Sequence, residues 1–521
     1  MTAVSFSGVL AEQAARRPDA TAVVDRERRV TYGWLDGLVA RVAGGLQEMD
    51  VGAGDVVSSQ LPNWLESVVL ALAANRLGAV HNPLSPILGA RELRFVLGQA
   101  QSVVLVVPER FRGVDHATVA ARLRPELPAL REVVVLAGDD DLALLGSGTS
   151  APVGARVDDE REATFLLYTS GTTADPKGVL HSDATLLAEG TAMARHYGLT
   201  PDDVFVMPSP VSHVSGLLYG VLIPVLVGGT AVLMDVWDPT QFLELVQREG
   251  GTFSAGATPF LQGVADHPDL DRFDHSSLRL FPCGGANVPP DLIRRAIARL
   301  GVRTGRGYGS TEMPSATSSA GADDPDEKRA ETDGRPIAAN QVQVRDGAGR
   351  DLPTGQEGEI WVNGPERFLG YRDPDLDAGV FDGEGFFRTG DLGVLDGDGY
   401  LTVTGRLKDV VVRSGEKLSA KEIEDLLFEH PKVQAVAVVP VADPDVGERA
   451  CAVVVPRQPA DPPTLEELNA FLAAKELSRR KLPERLAVVD QLPTTASGKV
   501  QKHLLAEHVT AMLGAQEGVR P

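Results

Sequence analysis

The stretch from Val56 to Val107 alternates short apolar runs with segments of helix length, and no other feature restricts the fold as much. Val56-Val57-Ser58-Ser59-Gln60-Leu61 reads as a strand closed by the turn signal Pro62-Asn63. A helical run over about 64–77 follows, then a short strand at Ala79-Val80-His81, a helix over about 90–99, and Val103-Val104-Leu105-Val106-Val107. The last run has no polar face, as a parallel strand covered on both sides requires. Strands joined by helices of this length form a doubly wound α/β layer. A chain of 521 residues holds roughly three or four such units, so disulfides and structural metals are not needed for stability.

The pattern changes further on. A run of short strands and Asp-Gly turns, including Asp396-Gly397-Asp398-Gly399, ends with the segment Gly399–Arg406. Ser419-Ala420-Lys421-Glu422 and Thr464-Leu465-Glu466-Glu467 then read as capping boxes of two helices, the first over Ala420–Glu429 and stopped before Pro431. Strand-like runs lie at Ala435–Pro440, Ala450–Val455 and near Leu486–Val489. The expected architecture is a large multi-layer α/β domain with doubly wound sheets over residues 1–404, a hinge at 405–408, and a small α+β domain over 409–521. Val214 to Met234 carries no charge, yet Pro224 and Gly228-Gly229 divide it. It reads as a buried helix followed by a core strand, so no integral membrane span is expected.

Composition removes several function classes. Lys+Arg 50 against Asp+Glu 72 gives a net charge of −22, which argues against a nucleic-acid partner because nothing would neutralise many phosphates. Cys283 and Cys451 stand far apart with no C-x-x-C pair, which excludes a disulfide scaffold and a cysteine zinc site and makes a reducing cytoplasm the expected setting. Met1–Phe6 has neither a basic region nor a long apolar run, so no secretory signal is read there. No G-x-S-x-G elbow points to a hydrolase, and Gly305-x-Gly307-x-Gly309 has the wrong spacing for a dinucleotide fingerprint.

The most informative segment is Leu167-Tyr168-Thr169-Ser170-Gly171-Thr172-Thr173-Ala174-Asp175-Pro176-Lys177-Gly178, entered from the apolar strand Phe165–Leu167. Hydroxyl and backbone N–H donors can wrap phosphate oxygens, and Lys177 adds a point charge. It is not a Walker A loop, which requires Gly-Lys-Ser/Thr after four spacer residues.

This segment resembles the phosphate loop of the adenylate-forming superfamily of acyl-CoA synthetases, peptide-synthetase adenylation domains and firefly-type luciferases. Four further motifs of that superfamily follow in order: Gly307-Tyr308-Gly309-Ser310-Thr311-Glu312, Arg388-Thr389-Gly390-Asp391, Gly405-Arg406-Leu407-Lys408-Asp409 and Pro493-Thr494-Thr495-Ala496-Ser497-Gly498-Lys499. The resemblance implies activation of a carboxylic acid by ATP, with acyl-AMP and pyrophosphate as first products, and then transfer to a thiol. Both reactants of the first step are anions, so the site needs donors and positive charge. Thr311 and the loop Thr169, Ser170, Gly171, Thr172 and Thr173 would supply donors, and Lys177 would meet the β and γ phosphates. Glu312 suits Mg²⁺ as a hard oxygen ligand. Asp391 can accept from the two ribose hydroxyls, with Arg406 beside it. Gly284-Gly285-Ala286, with Tyr308 and Gly309, resemble the walls that hold adenine. Cys283 next to them reads as a packing residue, not a nucleophile.

Lysine accounts for 10 of the 50 basic residues, so Lys499 is not there by default. A flexible ammonium can follow charge developing between carboxylate and α-phosphate, and the family gives Lys499 that task. Lys408 matches the family's hinge, about which the small, mobile domain turns between the two steps. Gly415, in Ser414-Gly415-Glu416, would then face the pantetheine arm of coenzyme A. One departure stands at Ala174, where the family usually has glycine. If that position needs φ > 0, alanine costs on the order of 1 kcal/mol.

Pro208-Ser209-Pro210-Val211-Ser212-His213-Val214-Ser215-Gly216 resembles the segment that gates the acid pocket. It offers His213 and no acid for a substrate ammonium, which disfavours amino acids. His213 alone reads equally well as a satisfied core histidine. Small residues at Ala255-Gly256-Ala257 leave volume for an apolar acid. The wording of the motifs is nearest to the fatty-, alicyclic- and aryl-acid CoA ligases. Transfer to the phosphopantetheine of an acyl carrier protein is the alternative, and a homodimer is compatible with either.

Overall fold

The computed structural model describes residues 5–138, 162–169, 176–413, 416–443, 446–495 and 498–517. A seven-stranded sheet runs, in spatial order, Gly370–Tyr371, Lys177–His181, Phe165–Thr169, Val80–Pro83, Val56–Ser59, Ser102–Pro108 and Glu132–Leu136. The five strands from Phe165–Thr169 to Glu132–Leu136 pair in parallel. The chain leaves Val56–Ser59 in both directions, as a doubly wound layer does. The loop that follows Thr169 therefore starts at the carboxyl ends of the strands, where open α/β sheets bind ligands.

A second layer begins with Val204–Met207, Thr230–Leu233, Thr21–Asp25 and Arg28–Thr31. Single bridges through Phe253, Leu280 and Gly256 knit it to the sheet holding Cys283–Gly284 and Arg306–Tyr308. Helix Leu65–Arg76 has every residue buried, which explains why its sequence shows no polar face. Its apolar side chains join one core with Tyr32, Phe165, Phe205 and Leu222. The uncharged run resolves as expected into helix Val214–Leu217, a wide π turn Leu218–Leu222, helix Ile223–Val227 and strand Thr230–Leu233. Among the described residues, no helix is long and apolar enough to cross a membrane.

Arg306 is a tie between layers. Its guanidinium is 2 % exposed and donates to Asp333 from Nε at 3.0 Å and Nη2 at 2.7 Å. Asp333 also accepts from the N–H of Val403 at 2.8 Å, in the antiparallel sheet of Gln341–Arg345, Gly358–Asn363, Phe387–Leu395 and Leu401–Arg406.

Two carboxyls meet in the interior, Glu189 from helix Asp183–Tyr197 and Glu366, which accepts from Asn340. Desolvation pushes both above the ordinary range, and Glu366 adds its repulsion to Glu189. The folded pair thus keeps a proton where the unfolded chain has lost it. Stability is expected to fall as pH rises from about 5 into the neutral range, and Glu189→Gln should flatten that slope in denaturant midpoints.

The smaller domain is an α+β unit. Its sheet pairs Val433–Asp443 with Gly447–Pro456 and adds Val411–Arg413, Glu416–Leu418 and Arg485–Val488. The small domain departs from expectation in its helices. Ser419 caps helix Ala420–Phe428 through the N–H of Glu422, but the Glu422 side chain is held by Lys481, so only half of the capping box forms. Thr464 and Glu467 do make the full box. A third helix, Lys502–Glu517, was not anticipated. In the expected hinge 405–408, Gly405 and Arg406 are still laddered to Leu392 and Asp391 and the Leu407 N–H donates to the Gly390 carbonyl at 3.0 Å, so the segment free of that ladder begins at Lys408.

Candidate active site

Strand Phe165–Thr169 delivers Thr169 to the sheet's carboxyl edge, and the returning strand opposes Thr169 with Lys177. Ser170, Gly171, Thr172, Thr173 and Ala174 lie outside the described residues, as does Gly415. The Lys177 ammonium sits 4.8 Å above the Tyr371 ring. The Tyr371 hydroxyl donates to Glu312 Oε1 at 2.8 Å. One ring therefore spaces the cation from the carboxylate and stops them from cancelling each other. Tyr371 is itself fixed, because its N–H donates to Asp377 Oδ1 at 2.9 Å.

Thr311 is held from behind. His181 Nε2 donates to the Thr311 carbonyl at 2.7 Å, and its Nδ1 meets the Thr185 hydroxyl at 3.0 Å. Burial pushes the His181 pKa down to about 4, so the ring is a neutral donor at physiological pH. Tyr371 and His181 were missed in the sequence. His181 could have been found, since the period of two puts it on the same strand face as Lys177. Tyr371 sits in a two-residue strand and left no signal of its own.

Asp391 does not lie in a turn, as its Thr-Gly-Asp context suggests. It is an inner residue of strand Phe387–Leu395, opposite Arg406. Arg406 Nε donates to its Oδ1, and the Tyr308 hydroxyl donates to Oδ2 at 2.8 Å. The carboxylate raises the Arg406 pKa above its ordinary value despite desolvation, and desolvation with the Asp391 charge raises that of Tyr308. Asp391 is thus held as an acceptor between two fixed donors.

The glycines have separate reasons. At Gly309 a Cβ would fall 2.0 Å from the Pro314 carbonyl, and at Gly284 it would fall 2.6 Å from that of Gly307. Both keep strands and turns in contact. Gly285, at φ +77°, instead faces Lys499, whose Cε would be 3.8 Å from an added Cβ. Ala286 packs against the core beside Cys283, whose thiol burial pushes up to about 12, too high for a nucleophile.

Lys499 comes from the small domain into this cluster. Its loop is closed by a Thr494–Val500 bridge, and a Cβ added at Gly498 would fall 3.1 Å from the Pro259 ring. Desolvation lowers the pKa of the ammonium, Arg406 lowers it further, and Glu312 and Asp391 oppose the change. Among the described residues none is hydrogen-bonded to the ammonium, which lies desolvated within the fields of Arg406, Glu312 and Asp391. His213 stands near enough to feel Lys499, and desolvation, then that charge, pushes its pKa down to about 3. Its Nδ1 accepts from the Ser215 N–H at 3.3 Å, which leaves the proton on Nε2. His213 is therefore a neutral donor at the head of helix Val214–Leu217.

The arrangement can hold a polyphosphate, a pair of vicinal hydroxyls and a reacting anion within reach of the Lys499 ammonium. Comparison with known proteins identifies the family. The family model described as "AMP-binding enzyme" matches residues 10–372, and that described as "AMP-binding enzyme C-terminal domain" matches 422–499. A medium-chain fatty-acid–CoA ligase of Escherichia coli K12 is 37% identical over 96% of this chain and 90% of its own. A feruloyl-CoA synthase of Amycolatopsis is 36% identical over 94% and 96%. The crystal structure of ATP-bound MatB from Rhodopseudomonas palustris superimposes with a TM-score of 0.88 at 28% identity, over 98% of this chain and 100% of that one. The chain belongs to the AMP-binding enzyme family, within the acyl-CoA synthetases of the adenylate-forming superfamily, and is an ATP-using acid–thiol ligase.

Proposed function

We propose that the enzyme activates an apolar carboxylic acid, fatty, alicyclic or aryl, as its acyl-AMP and then passes the acyl group to the thiol of coenzyme A. The observation that carries this reading is the desolvated ammonium of Lys499 beside Gly285, among Glu312, Asp391 and Arg406. In the first step a carboxylate oxygen bonds to the α-phosphorus, the α–β bridging bond breaks, and pyrophosphate leaves. Lys499 would sit where negative charge gathers between the two anions, and a desolvated ammonium acts there more strongly than in water. Asp391 would accept from the ribose hydroxyls, with Arg406 and Tyr308 holding it. His213, neutral and protonated on Nε2, would donate to the acid.

Rotation about Lys408 would then withdraw Lys499 and bring Gly415 to the site. The thiol sulfur bonds to the acyl carbon, its proton leaves, and AMP departs. A reducing cytoplasm suits a thiol acceptor.

Glu312 fits Mg²⁺, since its Oε1 is held by Tyr371 while its Oε2 is hydrogen-bonded to none of the described residues. No group of three or more metal-ligating side chains occurs among the described residues, which suits an ion carried mainly by the nucleotide. Bound there, Mg²⁺ would neutralise phosphate charge. Tyr371→Phe keeps the ring under Lys177 and removes the bond to Glu312. The Mg²⁺ concentration needed for half-maximal ATP binding is expected to rise about three- to tenfold by calorimetry.

The similarity to named fatty-acyl and feruloyl CoA-forming enzymes supports coenzyme A as acceptor. A screen of acids for pyrophosphate release, followed by free coenzyme A or an acyl carrier protein, tests the reading. Thioester on the carrier alone would replace coenzyme A with the carrier. No release with any acid would remove the proposal.

A further inference from the structure

The loop that faces Lys499 also touches the small domain at a second point. Two residues beyond Gly285, Asn287 donates from Nδ2 to Asp425 Oδ1 at 2.8 Å. The Asn287 carbonyl is fixed in turn by the Thr258 hydroxyl at 2.6 Å. Asp425 lies on helix Ala420–Phe428, where Lys421 pairs with its other oxygen, and it is close enough for its charge to be felt at Arg306.

The neighbouring residue carries the link onward. Glu424 is 5 % exposed, accepts from the Val438 N–H at 2.7 Å and pairs with Lys502 at 2.6 Å. Lys502 begins the last helix, three residues after Lys499. A continuous path therefore runs from the large domain through Asn287, Asp425, Glu424 and Lys502 to the loop of Lys499. Any turn of the small domain that carries Lys499 away must also break the bond between Asn287 and Asp425.

We propose that Asp425 is a positioning residue: its bond to Asn287 latches the small domain in the pose that presents Lys499 for acid activation, and it is released for thioester formation. This rests on the two-step reading above. The bond is neutral on the Asn287 side, strong enough to bias a pose and weak enough to open in each turnover.

Asn287→Asp sets two carboxylates against each other and disfavours the latched pose. In that variant acid-dependent exchange of pyrophosphate into ATP is expected to fall about tenfold, while coenzyme A acylation from supplied acyl-AMP stays within about threefold of the parent. Hydrogen exchange of the backbone at residues 498–500 is expected to speed up in the enzyme without substrates. The swap Asn287→Asp with Asp425→Asn reverses the bond, with the amide now donating from the helix to the carboxylate on the loop, and both readouts should return towards the parent. A parallel fall of both half-reactions, unchanged pyrophosphate exchange, or a swap that restores neither readout would overturn the latch. If the parent enzyme exchanges no pyrophosphate with any acid, the two-step reading fails, and the latch then stands or falls on hydrogen exchange: unaltered protection at 498–500 in Asn287→Asp overturns it.

Discussion

Lys499→Ala is expected to slow acid-dependent pyrophosphate release on the order of 10²–10³-fold, because the desolvated ammonium lies among the charges of Arg406, Glu312 and Asp391 with no hydrogen bond to a described residue. Coenzyme A acylation from supplied acyl-AMP should change less than about threefold, since the proposed turn about Lys408 withdraws the lysine in that step. Lys499→Arg should recover little, because a planar guanidinium held between Gly285 and Arg406 cannot take the position of a tetrahedral ammonium. The pH profile adds an independent check. Desolvation lowers the lysine pKa, so the charged form persists only below that lowered value. Pyrophosphate release should therefore decline on the alkaline side earlier than an ordinary lysine would allow, and that limb should be missing from the residual activity of Lys499→Ala. Equal losses in both half-reactions would refute the assignment.

Asp333→Ala should produce the largest loss of stability. It would strand the Arg306 guanidinium, buried with both of its hydrogen bonds to Asp333 gone, and free the Val403 N–H. Removing one partner of a buried pair costs about 3–5 kcal/mol. The denaturant midpoint should fall accordingly. The double variant Arg306→Met with Asp333→Leu, which leaves no stranded charge, should recover much of the loss. An unchanged midpoint for Asp333→Ala would mean that water reaches Arg306.

The parts legible in the sequence are those specified by near neighbours. Val56–Ser59, Ser102–Pro108 and the helices between them announce themselves through apolar runs and turn residues, and Thr464 with Glu467 forms the box that its spacing implies. The parts that were not legible depend on partners far along the chain. Glu422 leaves its box because Lys481, 59 residues later, offers a charged donor. Asp391 reads as a turn because Thr389 and Gly390 precede it, but the ladder to Arg406 and Gly405 draws it into a strand. Lys502–Glu517 combines apolar and charged residues without a clean stripe, so its periodicity is faint. At the site, the motifs locate Glu312, Asp391 and Lys499 and the strand period reaches His181 from Lys177, whereas Tyr371 is recognisable only from the bonds it makes.

The wide turn at Leu218–Leu222 has a hereditary consequence. A π turn is equivalent to one residue inserted into an α-helix. Deleting that residue would restore regular winding with both flanks keeping their faces, because the wide turn already absorbs the about 100° that one extra residue adds. Descendants of this gene could thus lose one codon within Leu218–Leu222 and tighten that turn alone, leaving the helical run headed by His213 facing as it does and Glu312, Asp391 and Lys499 untouched.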